Sequence, residues 1–376
     1  MFERLEVEAL NRVNLFVGKN NAGKSAFLEA VYLYNSSISS QVLLELIEGR
    51  QEYWETREFE STRGLASNSP FRHLFRGHQV PGLSEAGIRF GLQKDLHVSE
   101  IKTAAYYYEE SEDRHIWKRI PSDEVPDFDD DLIEITLVVE SEGDVRRLNV
   151  DAVSIMRMRR HQGAFFHRTR RAPSSADDES GHSIFVPTGG ISNARAARYW
   201  DMVNLTELER EVIEGLQVIE PNLTGIAFVE SVADKAGSRS VASAQARLPL
   251  AKIQGISEPI PLKSLGDGIT QVFHMVLAMV NAKGGTVLLD EFENGLHWSV
   301  QEDVWRIVFE LAERLNIQVF ATTHSRDCVE SFRGAWSEAE SSGAFFRLSK
   351  CGDDVEIKPY DLETLSDSIE TSVEVR

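Results

Sequence analysis

The segment Gly18-Lys19-Asn20-Asn21-Ala22-Gly23-Lys24-Ser25 constrains this chain more than any other part of it. It satisfies the spacing G-x-x-x-x-G-K-[ST]. An apolar run, Val13–Val17, precedes it and reads as a buried strand. Ser25–Tyr34 follows, with Phe27, Leu28, Val31 and Tyr32 on one helical face. Glycines in such a turn let backbone N–H groups point inward at an anion, and a helix N-terminus adds partial positive charge. The pattern therefore predicts a phosphate cradle built from Gly18, Asn20, Asn21, Ala22, Gly23, Lys24 and Ser25. Lys24 is expected on the β- and γ-phosphates of a nucleotide, and the Ser25 hydroxyl on Mg²⁺. A chance glycine-rich turn would lack the strand before it and the helix after it.

A second apolar run, Thr286–Leu289, ends in Asp290 and Glu291. Asp290 is expected to hold the metal or its water. Glu291 is expected to polarise or position an attacking water. Alone, such a pair often does no more than end a strand in solvent; beside a phosphate loop it points to phosphoryl chemistry. Ala321-Thr322-Thr323-His324-Ser325 follows a third apolar strand, and His324 there can sense a γ-phosphate. Lys263-Ser264-Leu265-Gly266-Asp267-Gly268 opens an apolar helix running to Ala282, which makes a second anion site at a helix start. One chain does not easily offer both helix ends to one phosphate. Two copies arranged head to tail, each lending this loop to the other's nucleotide, satisfy both.

Between these motifs lies a long insertion, so distant segments must return to one sheet. Leu43–Trp54 reads as a helix and Ser61–Gly77 as loop-rich. Ile88–Leu92, Ala104–Tyr108 and Ile133–Val139 read as strands. Ala194–Ile219 reads as a long amphipathic helix with one break; Leu223–Val232 and Gln245–Leu250 read as strands; Phe345–Leu348 and Val355–Tyr360 read as a closing hairpin. The division expected is 1–85 with 183–376 as the core, a helical insertion at about 194–220, and 86–182 as a β-rich and loop insertion.

Acidic residues number 60 against 40 Lys and Arg, so the net charge of -20 repels bare nucleic acid on average. Any such contact has to come from the one concentrated basic run, Arg157–Arg171. Asp127–Asp131 reads as a solvated acidic loop, not a metal cluster. Cys328 and Cys351 have neither metal-site nor disulfide-framework spacing. No signal peptide or membrane-spanning run is visible, and a cytoplasmic setting is expected.

The order of phosphate loop, insertion, SLGDG, LLDEFENGLH and ATTHS is similar to the ABC-type ATPases of the RecF, SMC and OLD group, and most resembles OLD-like ATP-binding proteins. The motif regions cover roughly Glu6–Tyr34 and Lys263–Phe332. Phe185–Gly190 (FVPTGG) and the helix after it match loosely. The resemblance implies an α/β fold, an ABC-type core with a mixed sheet around the phosphate loop, plus a β-rich lobe and a helical insertion. It implies an ATP- and Mg²⁺-dependent ATPase. Gly18–Ser25 is then Walker A, Asp290 and Glu291 Walker B, and Glu293–His297 the loop at the dimer interface. His324 is the switch histidine, and Ser264, Gly266 and Gly268 form a signature loop acting in trans. SLGDG departs from LSGGQ, and Gln79 is offered as the Q-loop glutamine. Relatives carry a further strand and an N-F-R-like turn before their phosphate loop, and this chain begins closer to it. OLD nucleases end in a TOPRIM domain, and the residues after ATTHS are too few for one. A partner effector, a nuclease or toxin encoded nearby, is therefore expected to carry any toxic output, as in anti-phage systems such as PARIS and Septu. A RecF-like DNA-repair ATPase and a non-hydrolysing scaffold are the alternatives. No heptad stretch long enough for SMC arms is present.

Overall fold

A computed structural model describes residues 3–50, 70–92, 98–111, 114–125, 133–141, 144–148, 183–230, 247–339, 342–352 and 354–371. The expected basic run Arg157–Arg171 and the acidic residues Asp127–Asp131 lie outside the described residues. By internal packing the chain forms two units, one of Arg4–Leu28 with Phe166–Arg376 and one of Met1–Glu3 with Glu29–Phe165.

The larger unit is built on a six-stranded mixed sheet. In chain order its strands are β1 (Val13–Val17), β7 (Ser183–Val186), β11 (Thr286–Leu289), β12 (Gln318–Thr323), β13 (Gly343–Cys351) and β14 (Asp354–Tyr360). The spatial order is β14-β13-β1-β12-β11-β7. The first five in chain order run parallel, and β14 closes one edge antiparallel to β13. Every residue of β1 and β11 is buried. Strands covered on both faces read as continuous apolar runs, which is why both could be recognised without alternation.

Helix α1 (Lys24–Asn35) follows β1, and the line between the units falls inside it, at Leu28 and Glu29. The expected long helix at 194–219 is two helices, α3 (Asn193–Val203) and α4 (Glu207–Gln217). Leu205 at φ 63° breaks it, and Thr206 caps the second helix by accepting from the Leu208 N–H. Next come β8 (Leu223–Glu230), β9 (Arg247–Ile253) and β10 (Ile260–Pro261), a small antiparallel sheet. Helix α5 (Asp267–Asn281) is buried almost all round and packs on α3, α4 and β7. Helices α6 (Trp298–Arg314), α7 (Arg326–Glu338) and α8 (Leu362–Glu370) complete the unit. The sequence reading overlooked α7 and α8, although Ser325 and Asp361 are N-cap residues for them.

The smaller unit holds α2 (Ser40–Gly49) and an antiparallel sheet of β2 (Ile88–Gly91), β3 (Val98–Ser111), β4 (Arg114–Ile120), β5 (Ile133–Ser141) and β6 (Asp144–Arg147). Packing places the described part of residues 29–85 here, whereas the sequence division put it with the core. One reason lies across the sheet edge: the Arg146 guanidinium in β6 donates to the Ser37 carbonyl and, at 3.0 Å, to that of Ile38. No helix among the described residues is long and apolar enough to cross a membrane.

The mostly aliphatic core of the larger unit includes an aromatic stack. Phe292 and Trp305 lie nearly parallel with ring centroids 3.7 Å apart, and Phe332 meets Trp305 edge-on. Trp305 is fully buried. Trp305→Ala should therefore cost about 3–5 kcal/mol of stability, read from the denaturant midpoint.

Candidate active site

The carboxyl ends of the parallel strands β1, β12, β11 and β7 carry the polar groups of the site, the usual place for a ligand in an open α/β sheet. After β1 the phosphate loop turns through Asn21 at φ 64° and Gly23 at φ 95°. Gly18 cannot carry a side chain, because a Cβ there would stand 2.5 Å from the Leu348 carbonyl oxygen. Lys24 is buried, and its ammonium donates to the carbonyls of Gly18 at 2.8 Å and Lys19 at 3.2 Å. Burial holds its pKa below the ordinary lysine value, against the opposing pull of Asp290, Glu291 and Glu293.

Asp290 is 9% exposed and gathers hydroxyls from three segments. Thr322 in β12 donates to its Oδ1 at 2.6 Å, Ser25 to the same oxygen at 3.1 Å, and Thr188, on the turn after β7, to Oδ2 at 3.3 Å. The Asp290 N–H donates to the Val186 carbonyl at 3.0 Å and extends the strand pairing by one residue. Thr322 acts twice, since its Oγ1 also accepts from the Glu291 N–H at 2.9 Å. That bond helps hold Glu291 at φ 51°, a left-handed conformation unusual for a side-chain-bearing residue. The Asn294 N–H closes the turn on the Glu291 carbonyl at 2.9 Å. His324 stands just past β12, with Nδ1 3.6 Å from Glu291 Oε1 and 3.1 Å from Glu293 Oε1.

Lys24, Ser25, Asp290, Glu291 and His324, expected from the sequence to act together, thus all belong to this one end of the sheet. Ser264, Gly266 and Gly268 take no part in the hydrogen bonds just described. They form a short 3-10 turn and the start of α5, where Gly266 at φ 107° is the N-cap residue and no side chain caps the helix. Gly268 approaches the Glu291–Leu296 loop instead, where a Cβ would stand 3.0 Å from the Gly295 carbonyl oxygen. Gln79 packs in the smaller unit, next to the short turn Arg76–His78. Sequence reasoning gave no role to Thr322 or Thr188, and placed Glu293 only in the loop expected at a dimer interface. Thr322 lies inside the quoted ATTHS segment and Thr188 inside FVPTGG, so both were in view without a reason to choose them.

The residues present fit a nucleotide with Mg²⁺. The cradle lies at a helix N-terminus, and a buried ammonium there donates to two loop carbonyls. One serine hydroxyl is bonded to one carboxylate, a donor set that suits a cation completed by phosphate oxygens.

The turn bearing Thr188 rests on α5. His274 Nδ1 accepts from the Ile191 N–H at 3.2 Å, and a Cβ on Gly190, which sits at φ 76°, would collide with that nitrogen. The Thr188 carbonyl accepts from Asn294 Nδ2 at 2.6 Å. Burial lowers the His274 pKa to about 4 from its ordinary 6.5. Burial, and after it the Glu293 charge, pushes the Cys328 thiol up.

Residues 233–327 match a family model described as "AAA domain, putative AbiEii toxin, Type IV TA system". An "ATP/GTP phosphatase" of Helicobacter pylori (strain ATCC 700392 / 26695) is 25% identical over 348 residues, spanning 88% of this chain and 84% of its own length. Among solved structures, an SMC head bound to the C-winged helix domain of ScpA is similar at 12% identity and a TM-score of 0.44, covering 94% of this chain and 92% of its own. The SMC head domain from Thermotoga maritima is similar at 13% identity and a TM-score of 0.36, covering 93% and 90%.

Because the folded state keeps His274 neutral while the unfolded chain protonates it below about 6.5, its contribution is complete above that pH and is lost as pH falls toward 4. His274→Gln keeps an acceptor for the Ile191 N–H and removes the titration. Its stability should fall less steeply than wild type between about pH 6.5 and 4, measured by denaturation across that range.

Proposed function

We propose that this chain binds ATP with Mg²⁺ and hydrolyses it at the carboxyl end of its central sheet. One observation supports this above the others. Ser25 of the phosphate loop donates to Asp290, which lies 265 positions later, at 3.1 Å, so two segments that would hold one metal meet. The family match over 233–327 and the name of the Helicobacter relative agree with this reading.

In this reading the phosphate-loop N–H groups and Lys24 bind the β- and γ-phosphates. Lys24 exchanges its bonds to the Gly18 and Lys19 carbonyls for phosphate oxygens. Ser25 and Asp290 hold Mg²⁺, which when bound supplies charge neutralisation. Glu291, fixed at its backbone by Thr322, orients the attacking water and accepts its proton. His324 contacts the γ-phosphoryl group. Ser264, Gly266 and Gly268 serve the nucleotide of a second copy; the uncapped start of α5 supports this, because no side chain caps its first N–H groups. ATP then closes a head-to-tail homodimer and hydrolysis opens it. The output is control of a partner effector, a nuclease or toxin, in anti-phage defence, on the strength of the OLD-like resemblance.

Lys24→Ala should weaken ATP binding at least about tenfold by titration of a fluorescent nucleotide, and retained affinity would remove the cradle from the argument. Glu291→Gln should lower kcat about 100-fold while leaving ATP bound, and the variant should elute with ATP as a dimer. Unchanged turnover would refute the role of Glu291. A wild type that binds ATP without turnover would leave only a nucleotide-dependent scaffold.

A further inference from the structure

Glu293 has no part in the reaction just described, yet its side chain is only 10% exposed. Its Oε1 serves a single residue twice. It accepts from the His324 backbone N–H at 3.0 Å, and it lies 3.1 Å from His324 Nδ1. Its other oxygen, Oε2, is buried and makes no hydrogen bond within the described chain. Burying a carboxylate with one oxygen unsatisfied is costly. What the arrangement secures is a histidine held at two points, backbone and ring.

We propose that Glu293 is a positioning residue for His324. It keeps the proton on Nδ1 and fixes the ring plane, which assigns to Nε2 any contact with the γ-phosphoryl group. Carboxylates set histidine tautomers in this manner wherever one ring nitrogen must face a reacting atom. Glu291 is the less suited partner, since its Oε1 stands farther off at 3.6 Å and its charge is needed for water. The placement of Glu293 adds a consequence. It sits between Glu291 and Gly295 on the loop that abuts the first turn of α5 at Gly268. Movement of that turn on meeting a second copy would reach His324 through one side chain.

This inference rests on the hydrolysis reading, and its test separates the two. ATP turnover is measured with the full chain for wild type, Glu293→Gln, His324→Ala and the double variant. Glu293→Gln should lower kcat about tenfold with KM within about twofold, and should add no further loss in the His324→Ala background. An unchanged kcat, or an equal loss in both backgrounds, overturns the proposal. The second measurement does not need turnover or a variant of Glu293. Nitrogen-15 spectra of the histidine rings at about pH 8, with His324 assigned by its absence in His324→Ala, should show the Nδ1-protonated tautomer in the wild type. The Nε2-protonated tautomer overturns the proposal. A wild type without ATPase activity counts against the hydrolysis reading, and the spectra then decide the role of Glu293 alone.

Discussion

A single buried carboxylate holds this site together. Asp290 takes hydroxyl hydrogen bonds from Ser25, Thr188 and Thr322, which belong to three segments far apart in the chain. A hydrogen bond to a charged acceptor contributes roughly 1.5–3 kcal/mol, and a buried charge that loses its partners costs more than the bonds it had. The carboxylate is therefore a constraint on its surroundings as much as a ligand. Strands β1, β12, β11 and β7 have to end at one level for these hydroxyls to reach it. Their parallel registers, Val17 beside Thr323 and Leu289 beside both Ala321 and Val186, bring that about.

The residues just after Asp290 extend the constraint into the core and onto α5. Glu291 occupies a left-handed conformation pinned by Thr322, and Phe292 returns at once to the interior to stack on Trp305. The loop then bonds the Thr188 turn through Asn294 and passes close to Gly268 through Gly295. A side chain that would act on water is thus tied to the aromatic cluster of Phe292, Trp305 and Phe332. Such a loop has little freedom to drift, and rigidity of this kind is what orienting an attacking water demands.

Motif spacing led to the expectation that Lys24, Ser25, Asp290, Glu291 and His324 would gather, and they stand at one end of the sheet. Strand order was another matter. That β12 lies between β1 and β11 depends on pairings across some 300 positions, and no local pattern records it. Thr188 and Thr322 escaped notice for the same reason: a threonine near a strand end is common, and only the third dimension brings it to Asp290. The grouping of the described part of residues 29–85 with the β-rich unit depends on contacts such as Arg146 with Ser37, equally invisible in periodicity. Helices α7 and α8 are legible from their N-cap residues, Ser325 and Asp361.

The state of Lys24 shows what a ligand would change. Its ammonium has three N–H donors, and the loop offers it two carbonyls, those of Gly18 and Lys19. Burial disfavours its charge, and the three nearby carboxylates only partly offset that. A bound polyphosphate would add negative oxygens at short range in a site where charges are weakly screened. Lys24 would exchange carbonyl bonds for phosphate oxygens, and its charged form would be favoured instead of penalised. On the proposed reading, part of the affinity for a nucleotide would come from relieving the cost that burial places on the lysine's charge. A neutral residue of equal length would leave the loop carbonyls in place and would gain nothing from an arriving phosphate.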